Sequence, residues 1–262
     1  MSDLYKHTEQ YDREHFGEDE DIGFYQSLCR HLAPKKILEL GCGTGRITLP
    51  LAEIGFEVVG LDNQPEMLRK AEERRLRSEP KVRTRLEFIE GDMRTWRGCS
   101  DFDLILIPSS SISHLLSLED QLAVWSTCHQ NLRANGRLLV EITMPNMASF
   151  ADSFSVPPRS IVEIDIDSED DRDGTRLIRR KTTHYESHEQ LAQIRFLYEK
   201  YQHGRGVGSS IDDFASHVFF PRELRLLFLH TRYDVEQTLG DYRGRPLMPD
   251  SPLIIMIGRR KD

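Results

Sequence analysis

Short apolar runs separated by segments of helical period fill the first half of the chain. Ile37-Leu38-Glu39-Leu40 and Val58-Val59-Gly60-Leu61 have strand length. RLEFIEGDM, DFDLILIP and RLLVEIT supply a third, fourth and fifth run. Strands buried on both faces of a parallel sheet read this way. Between them, a helix is predicted over about 47–54, and Asn63-Gln64-Pro65-Glu66 is a helix start with Pro65 near the first turn. Leu118, Leu122, Trp125, Cys128 and Leu132 recur at steps of three and four, which predicts a helix with one buried face. Asn135-Gly136 is expected to end that helix as a left-handed cap. Strand–helix alternation of this kind predicts a parallel sheet with helices on both faces.

The pattern changes after Met144. PRSIVEIDID, GTRLIRRKTTHYE, QLAQIRFLYEKYQH and SSIDDFASHVFF alternate between apolar and polar positions, as antiparallel strands with one solvated face do. PRELRLLFLH then predicts a helix over Pro221–His230, and YDVEQTL and PLIIMIGRR two last strands. The expected organisation is a helical arm over 1–34, with its helix at Gly23–Leu32, and a Rossmann-like domain over 35–144 and 221–262. An antiparallel insertion over 145–220 interrupts that domain. Ligands of open α/β sheets bind beyond the carboxyl ends of the strands. The insertion starts on that rim and is expected to cover the substrate pocket.

Candidate chemistry sits where the first strand ends. Gly41, Gly43 and Gly45 alternate there, and glycine lets backbone approach a ligand where a Cβ would collide with it. The dinucleotide fingerprint G-x-G-x-x-G would need its third glycine at position 46, which is Arg46. Glu39, just before the turn, would repel a pyrophosphate and suits a cationic ligand. Asp62 ends the second strand, where a ribose would offer its hydroxyls.

Acid-x-G-x-G-x-G followed by a strand-end acid resembles the S-adenosyl-L-methionine site of class I methyltransferases. Nearly the whole chain is similar to the small-molecule branch of that family, which includes amino-sugar N,N-dimethyltransferases. The matching pieces are DIGFYQSL, LELGCGTGRITLPLA, VVGLDNQPEML, EGDMR, IPSSSISHLLSLEDQL and LGDYRGRPLMPDSPLIIMIGRR. The resemblance implies a Rossmann-like seven-stranded sheet with an antiparallel β insertion before the last helix and hairpin. It implies Gly41, Cys42 and Gly43 against the methionine part of the cofactor, Glu39 among the cofactor-binding residues, and Asp62 on the ribose. Asn63 and Met67 would lie near the adenine, Gly91 and Asp92 at its amino group, and Met93 on its ring. Ile107 to Ser109, at the end of the fourth strand, would pass beneath the sulfonium, and Tyr11 and Tyr25 would close over the cofactor.

Methyl transfer from a sulfonium is an in-line displacement in which the protein aligns the nucleophile and helps remove its proton. Histidine suits that task near neutral pH. His114 follows the fourth strand in SSSISHLL and is the candidate base; the bland alternative is a capping or solvated histidine. Other features carry less. His184 and His188 are four apart in an extended segment, so no metal site is expected. DIDSEDDRDG lacks the glycine and closing glutamate of a calcium loop. RLIRRK has acidic neighbours and reads as a charged strand face.

Composition narrows the partners. With 262 residues and a net charge of −8, the chain fits one α/β domain with an insertion and argues against a general nucleic-acid surface. The N-terminal stretch is charged throughout and does not read as a signal peptide. No apolar run approaches the roughly 20 residues of a membrane span. Cys29, Cys42, Cys99 and Cys128 form no C-x-x-C pair, so zinc is not expected, and a cytoplasmic protein with reduced thiols is. The expected partner is a small-molecule acceptor, methylated on N or O; a homodimer is left open. The competing readings are a protein or RNA methyltransferase, a binding module without transfer, and a protein that uses the sulfonium for other chemistry such as cyclisation.

Overall fold

A computed structural model describes residues 11, 12, 19–98, 101–157, 159, 161–170 and 174–261. Most of the arm before position 19, together with Cys99, lies outside the described residues. The chain divides into two compact units, one built on Pro145–Val218 and the other on the segments before and after it.

The larger unit holds seven strands in the order β10-β11-β5-β4-β1-β2-β3. These are β1 (Lys36–Leu40), β2 (Glu57–Asp62), β3 (Leu86–Glu90), β4 (Phe102–Ile107), β5 (Leu132–Thr143), β10 (Tyr233–Leu239) and β11 (Leu253–Arg260). Strands β1 to β5 are parallel, whereas β11 runs antiparallel to β5 and β10 antiparallel to β11. The carboxyl ends of β1 to β5 therefore share one rim. Helices α1 (Glu20–Leu32), α2 (Thr48–Glu53), α3 (Pro65–Arg77), α4 (Pro80–Arg83), α5 (Leu118–Asn131) and α6 (Pro221–His230) belong to this unit.

Successive strand residues face opposite sides of a sheet, and the two cores follow that rule. Leu38, Leu40, Ile105, Ile107, Leu138 and Val140 pack with Trp125 and Phe228 on one face. Ile37, Leu104, Leu106 and Leu139 pack with Tyr25, Leu51 and Ile255 on the other. By the same alternation Glu39 and Glu141 belong to the second face, as the only carboxylates buried in β1 and β5.

The expected seven-stranded sheet with an antiparallel insertion is thus observed. Two helix boundaries differ. Asn135-Gly136 does not cap α5, which ends four residues earlier at Asn131. Leu132 is fully buried and pairs with Phe102 of β4, so burial in the sheet pulls it out of the helix. Asn135 does hold a positive φ of 62°, but in the turn that leads into the apolar part of β5. Helix α1 also begins before Gly23, with Glu20 and Asp21 in its first turn, where carboxylates complement the helix dipole.

The smaller unit is a four-stranded antiparallel sheet, β6 (Glu163–Asp170), β7 (Thr175–Glu186), β8 (Leu191–Gln202) and β9 (Arg205–His217), in sequential order. Leu177, Phe196 and Tyr198 form its buried cluster. Arg176–Asp167, Arg179–Asp165 and Arg180–Glu199 pair across its strands, so the RLIRRK segment is a charged strand face. His184 lies in β7 and His188 in the following turn, not on one helix.

Candidate active site

The turn after β1 is shaped by its glycines. Gly41 and Gly43 hold φ of 74° and 54°, in the left-handed region that disfavours side chains. A Cβ on Gly41 would lie 2.8 Å from Ser111 Oγ, so this backbone is in close approach to the loop after β4. Gly45 serves packing instead, since a Cβ there would lie 2.8 Å from the Phe88 ring. Asp62, at the end of β2, accepts from the Gly43 N–H at 2.8 Å through Oδ2 and from the Gln64 N–H at 2.8 Å through Oδ1. Burial raises its pKa, against the pull of those backbone donors. The Asn63 N–H is a third backbone donor, which leaves part of the carboxylate's four-site acceptor capacity for a ligand.

Other nominated residues line the same rim. Asn63 is exposed and its Oδ1 accepts from Gln64 Nε2, while Met67 is buried in the first turn of α3. Gly91 N–H donates to the Asp62 carbonyl at 2.9 Å. Asp92 is held by Arg94, which donates from its backbone N–H at 2.8 Å and from its guanidinium at 2.6 Å. Those bonds lower the Asp92 pKa and keep it an ionised acceptor. Met93 packs against the core, with its Cε 3.6 Å from the point a Gly41 Cβ would occupy. Ile107 is fully buried at the end of β4. Tyr11 Oη lies 3.8 Å from the corresponding point on Gly43, and burial pushes its pKa to about 12.

Three nominated residues are turned inward. Cys42 is buried and its thiol pKa is pushed up. Glu39 is 2% exposed, accepts from Thr48 Oγ1 at 2.5 Å, and is raised by burial to about 8. Tyr25 is fully buried and donates its hydroxyl to Glu141. His114 closes a 3₁₀ turn, Ser111–His114, after β4; its side is exposed, yet desolvation by its neighbours lowers its pKa.

A cavity of about 520 Å³ is lined by Ser109, of the stretch expected beneath the sulfonium, and by none of the other nominated residues. Its wall includes Asp21, Arg46, Ser109, Ser110, Glu141 and Tyr242. Arg46 grips Asp21 with both terminal nitrogens, the longer bond being 3.0 Å, which ties α1 to the residue after the glycine turn. Glu141, also 2% exposed, accepts from Tyr25, from Tyr242 at 2.9 Å and from the Ser109 N–H at 3.2 Å. Burial raises its pKa against those three donors. A glutamate within the apolar run LLVEIT was the one sequence sign of this wall; its partners come from remote segments.

Residues 37–136 match the family model of a methyltransferase domain. The putative methyltransferase YqeM of Bacillus subtilis is 35% identical over 108 residues, covering 41% of this chain and 42% of that protein. The glycine/sarcosine N-methyltransferase of Aphanothece halophytica is 32% identical over 120 residues, 45% of this chain and 43% of that protein. The chain thus spans less than half the length of these curated relatives. Among solved structures, DesVI of Streptomyces venezuelae superposes with a TM-score of 0.74 at 21% identity, over 97% of this chain and 98% of that one. The SAM-bound amino pentose methyltransferase CalS10 of Micromonospora echinaspora gives 0.71 at 17% identity, over 96% of both chains. At such identities the likeness is one of fold.

Proposed function

We propose that this chain, which has the class I methyltransferase fold and carries a methyltransferase domain at residues 37–136, transfers the methyl group of S-adenosylmethionine to a nitrogen or oxygen of a small molecule. The observation that carries this reading is the pairing of Asp62 with the Gly43 N–H at the rim of the parallel sheet. The pair leaves a carboxylate with remaining acceptor capacity beside a turn that admits close backbone approach. A ribose diol fits that carboxylate, and an adenine amino group fits the ionised Asp92 that Arg94 holds in place. Residues 37–43 carry no cation that would attract a pyrophosphate, and the carboxyl of Glu39 is buried behind the turn.

The bound cofactor supplies an electrophilic methyl carbon. The chain's own contribution is alignment and proton removal. Alignment alone is worth effective molarities of about 10⁵–10⁸ M in well-oriented systems. His114 is the proposed base. Its lowered pKa leaves the imidazole neutral at pH 7, able to take the proton that an ammonium or hydroxyl must lose.

Calorimetric titration tests the cofactor. The wild type should bind S-adenosylmethionine, and Asp62→Ala should bind it roughly 10- to 150-fold more weakly, the worth of a hydrogen bond to a charged group. An unchanged dissociation constant would reject the assignment of Asp62, and preference for a nicotinamide or flavin nucleotide would reject the reading itself. Incubation with labelled cofactor and a metabolite extract then tests transfer, with label expected in a low-mass product. Tight binding without turnover would favour a binding module. For His114, kcat/KM should rise with pH through an inflection below 6.5 and then level off; a His114→Gln variant that keeps the inflection would remove it from the mechanism.

A further inference from the structure

Glu141 makes bonds that join three separate segments at the rim. Its Oε2 accepts the Tyr25 hydroxyl from α1; its Oε1 accepts the Tyr242 hydroxyl, from the connection between β10 and β11, at 2.9 Å and the Ser109 N–H at 3.2 Å. Its own backbone carbonyl accepts the next amide, Ser110 N–H, at 3.2 Å. Ser109 and Ser110 are consecutive non-glycine residues with φ of 52° and 58°. Such a pair is strained and persists only where surrounding contacts over-determine it. Ser110 Oγ also accepts from the Thr143 N–H at 3.0 Å, so the loop is fixed to β5 at three points. The next residue, Ser111, is the one whose side chain meets Gly41, and the 3₁₀ turn it opens ends at His114.

From this geometry, and resting on the reading above, we infer that Glu141 is a positioning residue: its carboxylate clamps the strained loop after β4, and through Ser111 sets the spacing of the cofactor turn at Gly41 and of His114. In this reading it acts through the loop and not on the reacting atoms. Tyr25 and Tyr242 are the two arms of the clamp, and Ser109, Ser110, Glu141 and Tyr242 line the cavity beside it.

Two readouts test the clamp on the intact chain: hydrogen exchange of the 107–115 peptide without ligand, and calorimetric affinity for S-adenosylhomocysteine. Glu141→Ala should speed exchange of the Ser109 and Ser110 amides about tenfold or more and weaken affinity about tenfold. Glu141→Gln keeps an oxygen for Ser109 and Tyr242 and should recover most of both effects. Tyr242→Phe should show a smaller change in the same direction; if Glu141→Ala does not fold, it and Glu141→Gln decide the matter. Lowered melting temperature with unchanged loop exchange and unchanged affinity would reduce Glu141 to a core contact and overturn the inference. Should the wild type ignore the nucleoside, the functional reading falls, while unchanged or accelerated loop exchange still rejects or supports the clamp.

Discussion

Strand β4 buries all six of its residues, whereas β9 leaves its first seven exposed. The parallel sheet has apolar cores on both faces; among the described residues the antiparallel sheet has a small buried cluster of three and rows of cross-strand charge pairs. Burial removes area from water and stabilises by about 25 cal/mol per Å². Exposed ion pairs contribute little, because solvent screens them and ordering two long side chains costs entropy. The two sheets therefore differ in what a sequence change can do. In the first, each residue is fixed by its neighbours and the few carboxylates stand out. In the second, many substitutions are tolerated.

The strongest test of that contrast is Trp125→Ala. Trp125 is fully buried and meets Phe228 edge-on at 5.7 Å. Its truncation should cost about 3–5 kcal/mol in denaturant unfolding, and a cost below 1 kcal/mol would mean the core is not the principal support.

Next comes Glu39, an ionisable carboxyl set inside the apolar sheet. Its folded-state pKa of about 8 stands above the ordinary 4.5. Stability linked to its protonated form is thus fully present below about pH 4.5 and is lost as pH rises through 8. Glu39→Gln keeps an acceptor for Thr48. It should match the ligand-free wild type near pH 4 and exceed it near pH 9 by on the order of a few kcal/mol. A difference that does not change with pH would show that the carboxyl is not titrating in this range.

The smallest effect belongs to the other sheet. Arg195 and Asp213 pair at 2.6 Å with both side chains more than half exposed. Arg195→Ala should leave the melting temperature unresolved from wild type at moderate salt; a clear drop would make the pair a real contributor and blur the contrast.

The same division explains what the chain discloses before it folds. Strand β1 at Lys36–Leu40, helix α6 at Pro221–His230 and strand β10 at Tyr233–Leu239 were legible because hydrophobic period and breakers are local signals. The end of α5 was misjudged because Leu132 answers to a sheet partner thirty residues away, not to Asn135-Gly136. The glycine turn and Asp62 are legible because their spacing is a local pattern. Asp21, Arg46, Glu141 and Tyr242 were not, because their bonds join residues 25 to 116 positions apart. Only the fold brings those partners together. The acceptor stays illegible for a related reason: its selectivity depends on pocket shape, which no short motif encodes.

The place of β11 has a consequence for how the chain is made. Ile254 pairs with Ile142 and Met256 with Val140, so β11 covers one edge of β5 from Arg137 to Thr143. A ribosome must therefore deliver the whole four-stranded sheet between synthesis of β5 and synthesis of its edge partner. During that interval β5 can pair only with β4, and its other flank stays open in the nascent polypeptide. The four hairpin-linked strands, whose pairings are sequential, can meanwhile form as they emerge.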